Sequence, residues 1–434
     1  MSVTFAVVLV FIILLLLIFM GCPVFASLGI SATIGILLLR GWVGVSQIPS
    51  TMYGQLSSFV LIAVPMYLLM GDVLFKTGIG ADLYDVFSKW FNRIPGGLAM
   101  ASVFSCAMFG AMCGISIAGV ATIGVIAIPE MLKRGYSPPL AAGSVTAAGA
   151  LAMLIPPSLL FILYGAIAEV SLDKLFVGGI VPGLILALMM CIYIAIRVLI
   201  NPQLAPMPDE VITWSDRIRP LKRLWPAILL IVWVLGSIYG GIATPTEAGA
   251  FGAAGAYLIA IFVYRTFSLK MLAETLLTTA RTTGAVCIIV ACAMIFSQFM
   301  NLARVPEHLT QFLVSLSMPD WVLMFIVMVF LLILGMFIDG ASMVLVTTPI
   351  LLPVVVAAGY DPLWYGIILI LNLEMAVITP PVGLNLYTLK SVTDAVSMAE
   401  ILRGTMPYVA VEFACLMFFV FFPELALWLP STMK

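Results

Sequence analysis

The chain has 434 residues, 63% of them hydrophobic and only 9% charged, and its mean hydropathy is +1.22. Soluble globular domains do not have this composition, so we expect an all-α polytopic membrane protein. The formal net charge of −1 gives no bulk attraction to nucleic acid, and the seven cysteines show no metal-type pairing.

The first half of the chain contains four ordinary apolar spans and two interrupted ones. The segment at about 97–133 breaks at Cys113-Gly114-Ile115-Ser116 into two arms of about 15 residues, each too short to cross a bilayer, which predicts a re-entrant hairpin. The segment at 138–167 is a broken helix, because Pro156-Pro157 removes helical N–H donors. The ordinary spans are predicted at 3–20, 24–39, 55–75 and 176–199.

The second half of the chain follows a polar stretch at 201–223, which we interpret as a linker. A hairpin is predicted at about 320–356, broken at Asp339-Gly340, and a broken helix at 362–388, interrupted by Pro380-Pro381. The ordinary spans of this half are predicted at 224–241, 248–264, 272–300 and 405–428.

The two halves repeat each other without a gap at an offset of 224 residues. A duplicated hydrophobic unit interrupted by Pro and Gly is typical of secondary transporters and indicates where they bind substrate. We therefore expect two repeats, 1–200 and 224–434. The shared residues are Met112, Pro129, Gly135, Tyr136, Pro138, Pro156 and Pro157, which recur as Met336, Pro353, Gly359, Tyr360, Pro362, Pro380 and Pro381.

The distribution of basic residues predicts the orientation of these repeats. With two re-entrant hairpins, five crossings remain in each half, about ten in all, and an odd number inverts the second repeat relative to the first. This topology puts 15 of the 19 Lys and Arg residues on one side and four on the other. The positive-inside rule then places the linker in the cytoplasm and both termini outside, with the hairpins opening from opposite sides.

The four breaks are the candidate binding site. A stopped helix frees carbonyl groups, which suit Na⁺, and the next helix begins with free N–H groups, which suit an anionic substrate. Glycines at the hairpin tips permit tight turns, and hydroxyl oxygens beside the breaks offer further ligands. Packing kinks in ordinary helices are the alternative interpretation. The residues concerned are Gly114, Ser116, Pro156, Pro157, Ser158, Gly340, Ser342, Thr379, Pro380 and Pro381.

Three polar side chains near the breaks have two interpretations each. Asp339 is a carboxylate at membrane depth, which predicts a cation site, although it could simply cap the second hairpin arm. Glu374 could couple to protons or cations, or form a buried structural pair. Asn385 follows the second Pro-Pro pair and could reach substrate or backbone.

Five motifs carry a family resemblance: I-P-E-M-L-K-R-G-Y-S-P from Ile128, I-P-P-S from Ile155, T-P-T-E-A from Thr244, T-P-I-L-L-P from Thr348 and I-T-P-P-V-G-L-N from Ile378. Together they resemble the large membrane subunit of tripartite ATP-independent periplasmic (TRAP) transporters, over essentially the whole chain. The resemblance implies an elevator-type, Na⁺-driven importer of organic acids that works with a small membrane subunit and a periplasmic binding protein.

The resemblance also implies which residues bind. Relatives often have two adjacent hydroxyl residues at the first tip, and Ile115 replaces one of them here, so backbone carbonyls must contribute more. The implied cation-binding residues are Gly114, Ile115, Ser116, Asp339, Gly340, Ser342 and Thr379. The implied substrate-binding residues are Ser116, Pro156, Pro157, Ser158, Ser342, Thr379, Pro380, Pro381 and Asn385.

Other classes of protein fit the sequence less well. A single-component Na⁺/carboxylate symporter of related fold would not need the binding protein. An intramembrane enzyme would need a catalytic cluster at membrane depth, and the sequence has neither that nor a nucleotide-binding motif. The resemblance therefore implies a transporter of the bacterial or archaeal inner membrane that uses no cofactor, with Na⁺ as its coupling ion.

Overall fold

The fold is given by a computed structural model that describes residues 3–207, 213–315 and 319–433, and every regular element in these ranges is a helix. Short helices occur where Pro and Gly interrupt the apolar runs, as the sequence predicts. The helices of the first half are α1 (Val3–Phe19), α2 (Val24–Val45), α3 (Ile48–Leu56), α4 (Ala63–Thr77), α5 (Ile79–Phe91), α6 (Gly97–Cys113), α7 (Ser116–Lys133), α8 (Pro138–Ala150), α9 (Leu159–Ala168) and α10 (Leu172–Ile200).

The second half begins with a short helix inside the predicted 201–223 linker, of which 208–212 lies outside the described residues. A Thr213–Asp216 capping box begins this helix. The helices are α11 (Trp214–Leu221), α12 (Trp225–Tyr239), α13 (Pro245–Leu258), α14 (Leu269–Leu302), α15 (Val305–Ser315), α16 (Asp320–Gly335), α17 (Gly340–Ala357), α18 (Pro362–Val377), α19 (Leu384–Val392), α20 (Met398–Phe421) and α21 (Pro423–Ser431).

The helices of the two halves follow the same order. Helices α7 and α17 both have 18 residues, and they begin 224 residues apart, as do α8 and α18. Two elements after the linker depart from the repeat: α14 is a single helix of 34 residues where the first half has α3 and α4, and α21 has no α-helical counterpart. The first half is interrupted at Ser57-Ser58, where Ser58 is extended, whereas the equivalent residues Arg281 and Thr282 lie inside the continuous α14.

The predicted lengths of the hairpin arms are wrong for the second arms. At 18 residues, α7 and α17 are about 27 Å long and could cross a membrane by length alone. They are longer because each helix begins right at the tip and continues through its internal prolines. By length and composition, eight helices in the described chain could be spans, or nine if the pair α11–α12, bent by 51°, is one. Ten crossings therefore remain a prediction.

The last predicted span, 405–428, also has wrong boundaries. Helix α20 begins at Met398, because Ser397 and Glu400 form a capping box. It ends at Phe421, and α21 begins at Pro423. The predicted 272–300 span likewise begins earlier, at Leu269, after the cap Ser268.

The helices pack in two groups around a largely continuous apolar core. Helices α1 to α3 pack with α14, and α4 packs with α13 and α14. In the other group, α8 packs against α6, α7 and α20, while α18 packs against α16, α17 and α20. The groups meet closely at Gly71 of α4, where an added Cβ would lie 2.6 Å from the Cβ of Cys113. The first hairpin tip therefore touches both groups.

Candidate functional site

The first hairpin tip lies against the first Pro-Pro break. Gly114 has a φ of +64°, and a Cβ there would lie 2.2 Å from the carbonyl oxygen of Pro157. The Leu159 N–H, at the start of α9, donates to the Gly114 carbonyl oxygen at 3.5 Å. Only glycine fits this turn, because any side chain would push the tip away from the break.

The second hairpin tip is joined to the second break in a similar way. The N–H of Val382, directly after Pro380-Pro381, donates to the carbonyl oxygen of Met336 at 3.2 Å. Asp339 caps α17, since its Oδ2 accepts from the Ser342 N–H at 3.0 Å. In the described chain its Oδ1 makes no hydrogen bond, so a cap and a ligand role are compatible.

Each hairpin also contacts the broken helix of the other repeat. Ser116, at the start of α7, donates through its hydroxyl to Oδ1 of buried Asn385 on α19 at 2.7 Å. The Asn385 amide group donates in turn to the Thr146 carbonyl oxygen on α8 at 3.2 Å. In the opposite pair, a Cβ on Gly340 would lie 3.3 Å from Leu160 on α9. The two tips and two breaks thus form one interlocked cluster.

This cluster brings helix ends of both polarities together. Helices α7, α9, α17 and α19 begin at the tips and breaks, and α6, α16 and α18 end there. Helix N-termini carry partial positive charge and free N–H groups, while C-termini present carbonyl oxygens. The arrangement is suited to an anion and a small cation side by side.

The predicted hydroxyl ligands differ in how they are engaged. Ser158 Oγ and Ser342 Oγ are buried and make no hydrogen bond within the described residues, so both remain available to a ligand. Thr379 Oγ1 donates to the Met375 carbonyl oxygen at 2.5 Å and retains its acceptor capacity. The Ile115 carbonyl oxygen accepts from the Gly119 N–H at 3.4 Å. Pro156-Pro157 and Pro380-Pro381 are both cis.

Sequence reasoning missed three polar groups that belong to this region or lie beside it. Thr146 contributes a carbonyl oxygen, which no sequence pattern indicates. Asp72 of α4 accepts a hydrogen bond from Thr279 on α14 at 3.1 Å, beside the Gly71–Cys113 contact. Glu412 is completely buried on α20. For both acids the signal was available, because a carboxylate inside an apolar run indicates function.

A large cavity lies elsewhere. It has a volume of about 1060 Å³ and is lined by residues of α5, α7 and α11. Five basic and three acidic side chains line it, with Lys89 paired to Asp85 at 2.7 Å and Arg134 to Glu130 at 2.9 Å, and none of the lining residues belongs to a tip or a break. We therefore place the candidate site at the interlocked tips and breaks and not in this cavity.

Comparison with known proteins identifies the family. Residues 11–425 match the family model described as "Tripartite ATP-independent periplasmic transporter, DctM component". The chain belongs to the DctM family. It is 36% identical over 408 residues to the C4-dicarboxylate TRAP transporter large permease protein DctM of Pseudomonas aeruginosa, covering 93% of this chain and 94% of that one.

One further relative and one solved structure of similar fold extend the comparison. The chain is 32% identical to the isethionate TRAP transporter permease protein DctMQ of Oleidesulfovibrio alaskensis, covering 93% of this chain but 63% of that longer one. A solved structure of the Alcanivorax borkumensis YdaH transporter, described as having an unusual topology, superimposes with a TM-score of 0.60. It covers 88% of this chain and 89% of that one at 14% identity, which shows a shared fold. The predicted membership of the TRAP large membrane subunits, with an all-helical fold, is confirmed.

Proposed function

We propose that this DctM-family chain is the transmembrane permease of a Na⁺-driven importer of organic acids. The observation that carries the proposal is the cluster of two tips and two breaks, joined by the Gly114–Leu159, Met336–Val382 and Ser116–Asn385 hydrogen bonds. Converging helix N-termini suit a carboxylate or sulfonate, and the freed carbonyl groups suit Na⁺. The relatives named for C4-dicarboxylate and isethionate transport both handle small organic anions, which supports this substrate class.

The proposed mechanism is an elevator with inverted repeats. The tip at Gly114 lies against Pro157, in the middle of the 138–168 segment, and irregular backbone buried in protein in this way supports a re-entrant hairpin. Repeated helix order and the uneven distribution of Lys and Arg support opposite orientations of the two repeats, with both termini periplasmic. The terminal residues to which this orientation applies, 1, 2 and 434, lie outside the described residues. In this mechanism the group that contains α6–α9 and α16–α20 carries the site across the membrane.

The proposed partners are a small membrane subunit and a periplasmic substrate-binding protein, in the inner membrane. The DctMQ relative supports the first partner, because its name adds a second component and its chain extends beyond the region matched here. The family description "tripartite" supports a three-part assembly. ATP has no role in this proposal.

Reconstitution tests the proposal. Proteoliposomes containing the permease and its small subunit, given the binding protein, should accumulate one of a panel of C4-dicarboxylates, sugar acids and 2-oxo acids under an inward Na⁺ gradient. Replacing Na⁺ by choline should lower the initial rate at least about tenfold, a difference of ~1.4 kcal/mol or more. Uptake that persists with a proton gradient alone would contradict Na⁺ coupling. Equal uptake without the binding protein would favour the single-component symporter.

A further inference from the structure

Two carboxyl groups lie in the protein interior away from solvent. Glu374 of α18 and Glu412 of α20 are both 0% exposed, and the two helices pack directly against each other. The two side chains are close enough to interact electrostatically. None of their four oxygens makes a hydrogen bond with good geometry in the described residues. The candidate site described above uses neither of them.

No cation in the described chain compensates the pair. The basic residues on the surrounding helices are Lys174 and Arg197 on α10, Lys390 on α19 and Arg403 on α20, and none forms an ion pair with either Glu. The thiol of Cys415, on α20, lies within electrostatic reach of both carboxyls. Helices α8 and α17 bring no titratable side chain. Other acids, Asp173, Glu400 and Glu424, lie in the first turns of α10, α20 and α21.

The surroundings decide the protonation state of the pair. An ion at membrane depth without a partner costs several kcal/mol, and two adjacent carboxylates also repel each other. One shared proton would need a hydrogen bond between the carboxyls, and the structure has none.

We propose that Glu374 and Glu412 form a proton-binding site, with a proton on each carboxyl in this conformation. The position of this site connects it to both broken helices. The Glu374 carboxyl faces the backbone at Leu154, two residues before Pro156-Pro157, and α18 itself leads into the break at Pro380-Pro381. The proton site thus lies where both broken helices are anchored, and losing a proton there would put an unpaired charge between them.

Infrared spectroscopy of the full-length chain in lipid tests the site without depending on transport. Protonated carboxyls absorb at the C=O stretch of a carboxylic acid, and this band is separate from the bands of carboxylates. At neutral pH we expect an acid band in the wild type. Its intensity should fall by the contribution of one carboxyl in Glu374→Gln, one in Glu412→Gln and two in the double variant. The exposed Glu424→Gln serves as the matched control and should leave the band unchanged.

Two results would overturn the proton site. One is a difference spectrum between wild type and the double variant that shows only carboxylate bands. The other is a failure of the Gln variants to fold, because Gln reproduces the shape and neutrality of the acid and should be tolerated if both groups are protonated. Either result leaves the Na⁺-driven transport proposal untouched, since uptake is not measured.

Discussion

Gly114→Ala should abolish most uptake while leaving the protein folded. The new Cβ would lie 2.2 Å from the Pro157 carbonyl oxygen, at a φ of +64° that L residues rarely adopt. The φ strain costs about 1–2 kcal/mol, and overpacking at a tight contact costs ~1–3 kcal/mol more. If transport requires the tip to close on the break, even ~2 kcal/mol lowers the initial uptake rate by roughly 30-fold.

Gly359→Ala is the matched control for the Gly114 variant. Gly359 has a φ of +85°, but an added Cβ there has no neighbour within 4 Å. It therefore tests backbone strain without the clash, and it should retain most uptake. Size-exclusion profiles and thermal unfolding in detergent establish that both variants fold. Wild-type uptake by well-folded Gly114→Ala would contradict the functional contact between tip and break.

Asp339→Asn should raise the Na⁺ concentration for half-maximal uptake at least about tenfold, with normal insertion and folding. Asn keeps the shape and is a good helix cap, so the hydrogen bond from the Ser342 N–H at 3.0 Å is retained. What changes is one negative charge beside the freed carbonyl groups at the second tip. The measurement is the Na⁺ dependence of initial uptake rates in proteoliposomes.

Asp361→Asn is the control for the charge at Asp339. Asp361 also caps a helix, accepting from the Leu363 N–H at 2.6 Å and the Trp364 N–H at 3.3 Å, but it is exposed at the start of α18. Its Na⁺ dependence should match the wild type. An unchanged Na⁺ dependence in Asp339→Asn would assign Asp339 to capping alone and leave the cation to carbonyl and hydroxyl oxygens.

Local signals account for what could be predicted from the sequence. Pro and Gly change backbone geometry where they stand, so the breaks at Pro156-Pro157, Pro380-Pro381 and Gly114 are visible without a structure. Helix ends set by a cap were less well predicted, as the start of α20 after Ser397 illustrates. The lengths of α7 and α17 were underestimated because the apolar pattern was split evenly around each tip.

Long-range contacts could not be predicted from a single sequence. The Ser116–Asn385 hydrogen bond joins residues 269 positions apart, and nothing in either neighbourhood specifies the other. The proximity of Glu374 and Glu412 could not be predicted either. Each acidic residue is visible within an apolar run of the sequence, but the two come close only because α18 packs on α20. Sequence reasoning named candidate ligands one by one, and the fold determines which of these residues meet.

Structures of the complete transporter in lipid nanodiscs, with substrate in Na⁺ and in choline, test the central claim most directly. The account predicts an organic anion at the N-termini of α7 and α9 or of α17 and α19, in contact with the Ser116–Asn385 pair or with Ser158 and Ser342. Na⁺ density should lie beside the tip carbonyl groups and vanish in choline, together with most of the substrate density. An anion bound in the cavity between α5, α7 and α11, with identical tips in Na⁺ and choline, would contradict it.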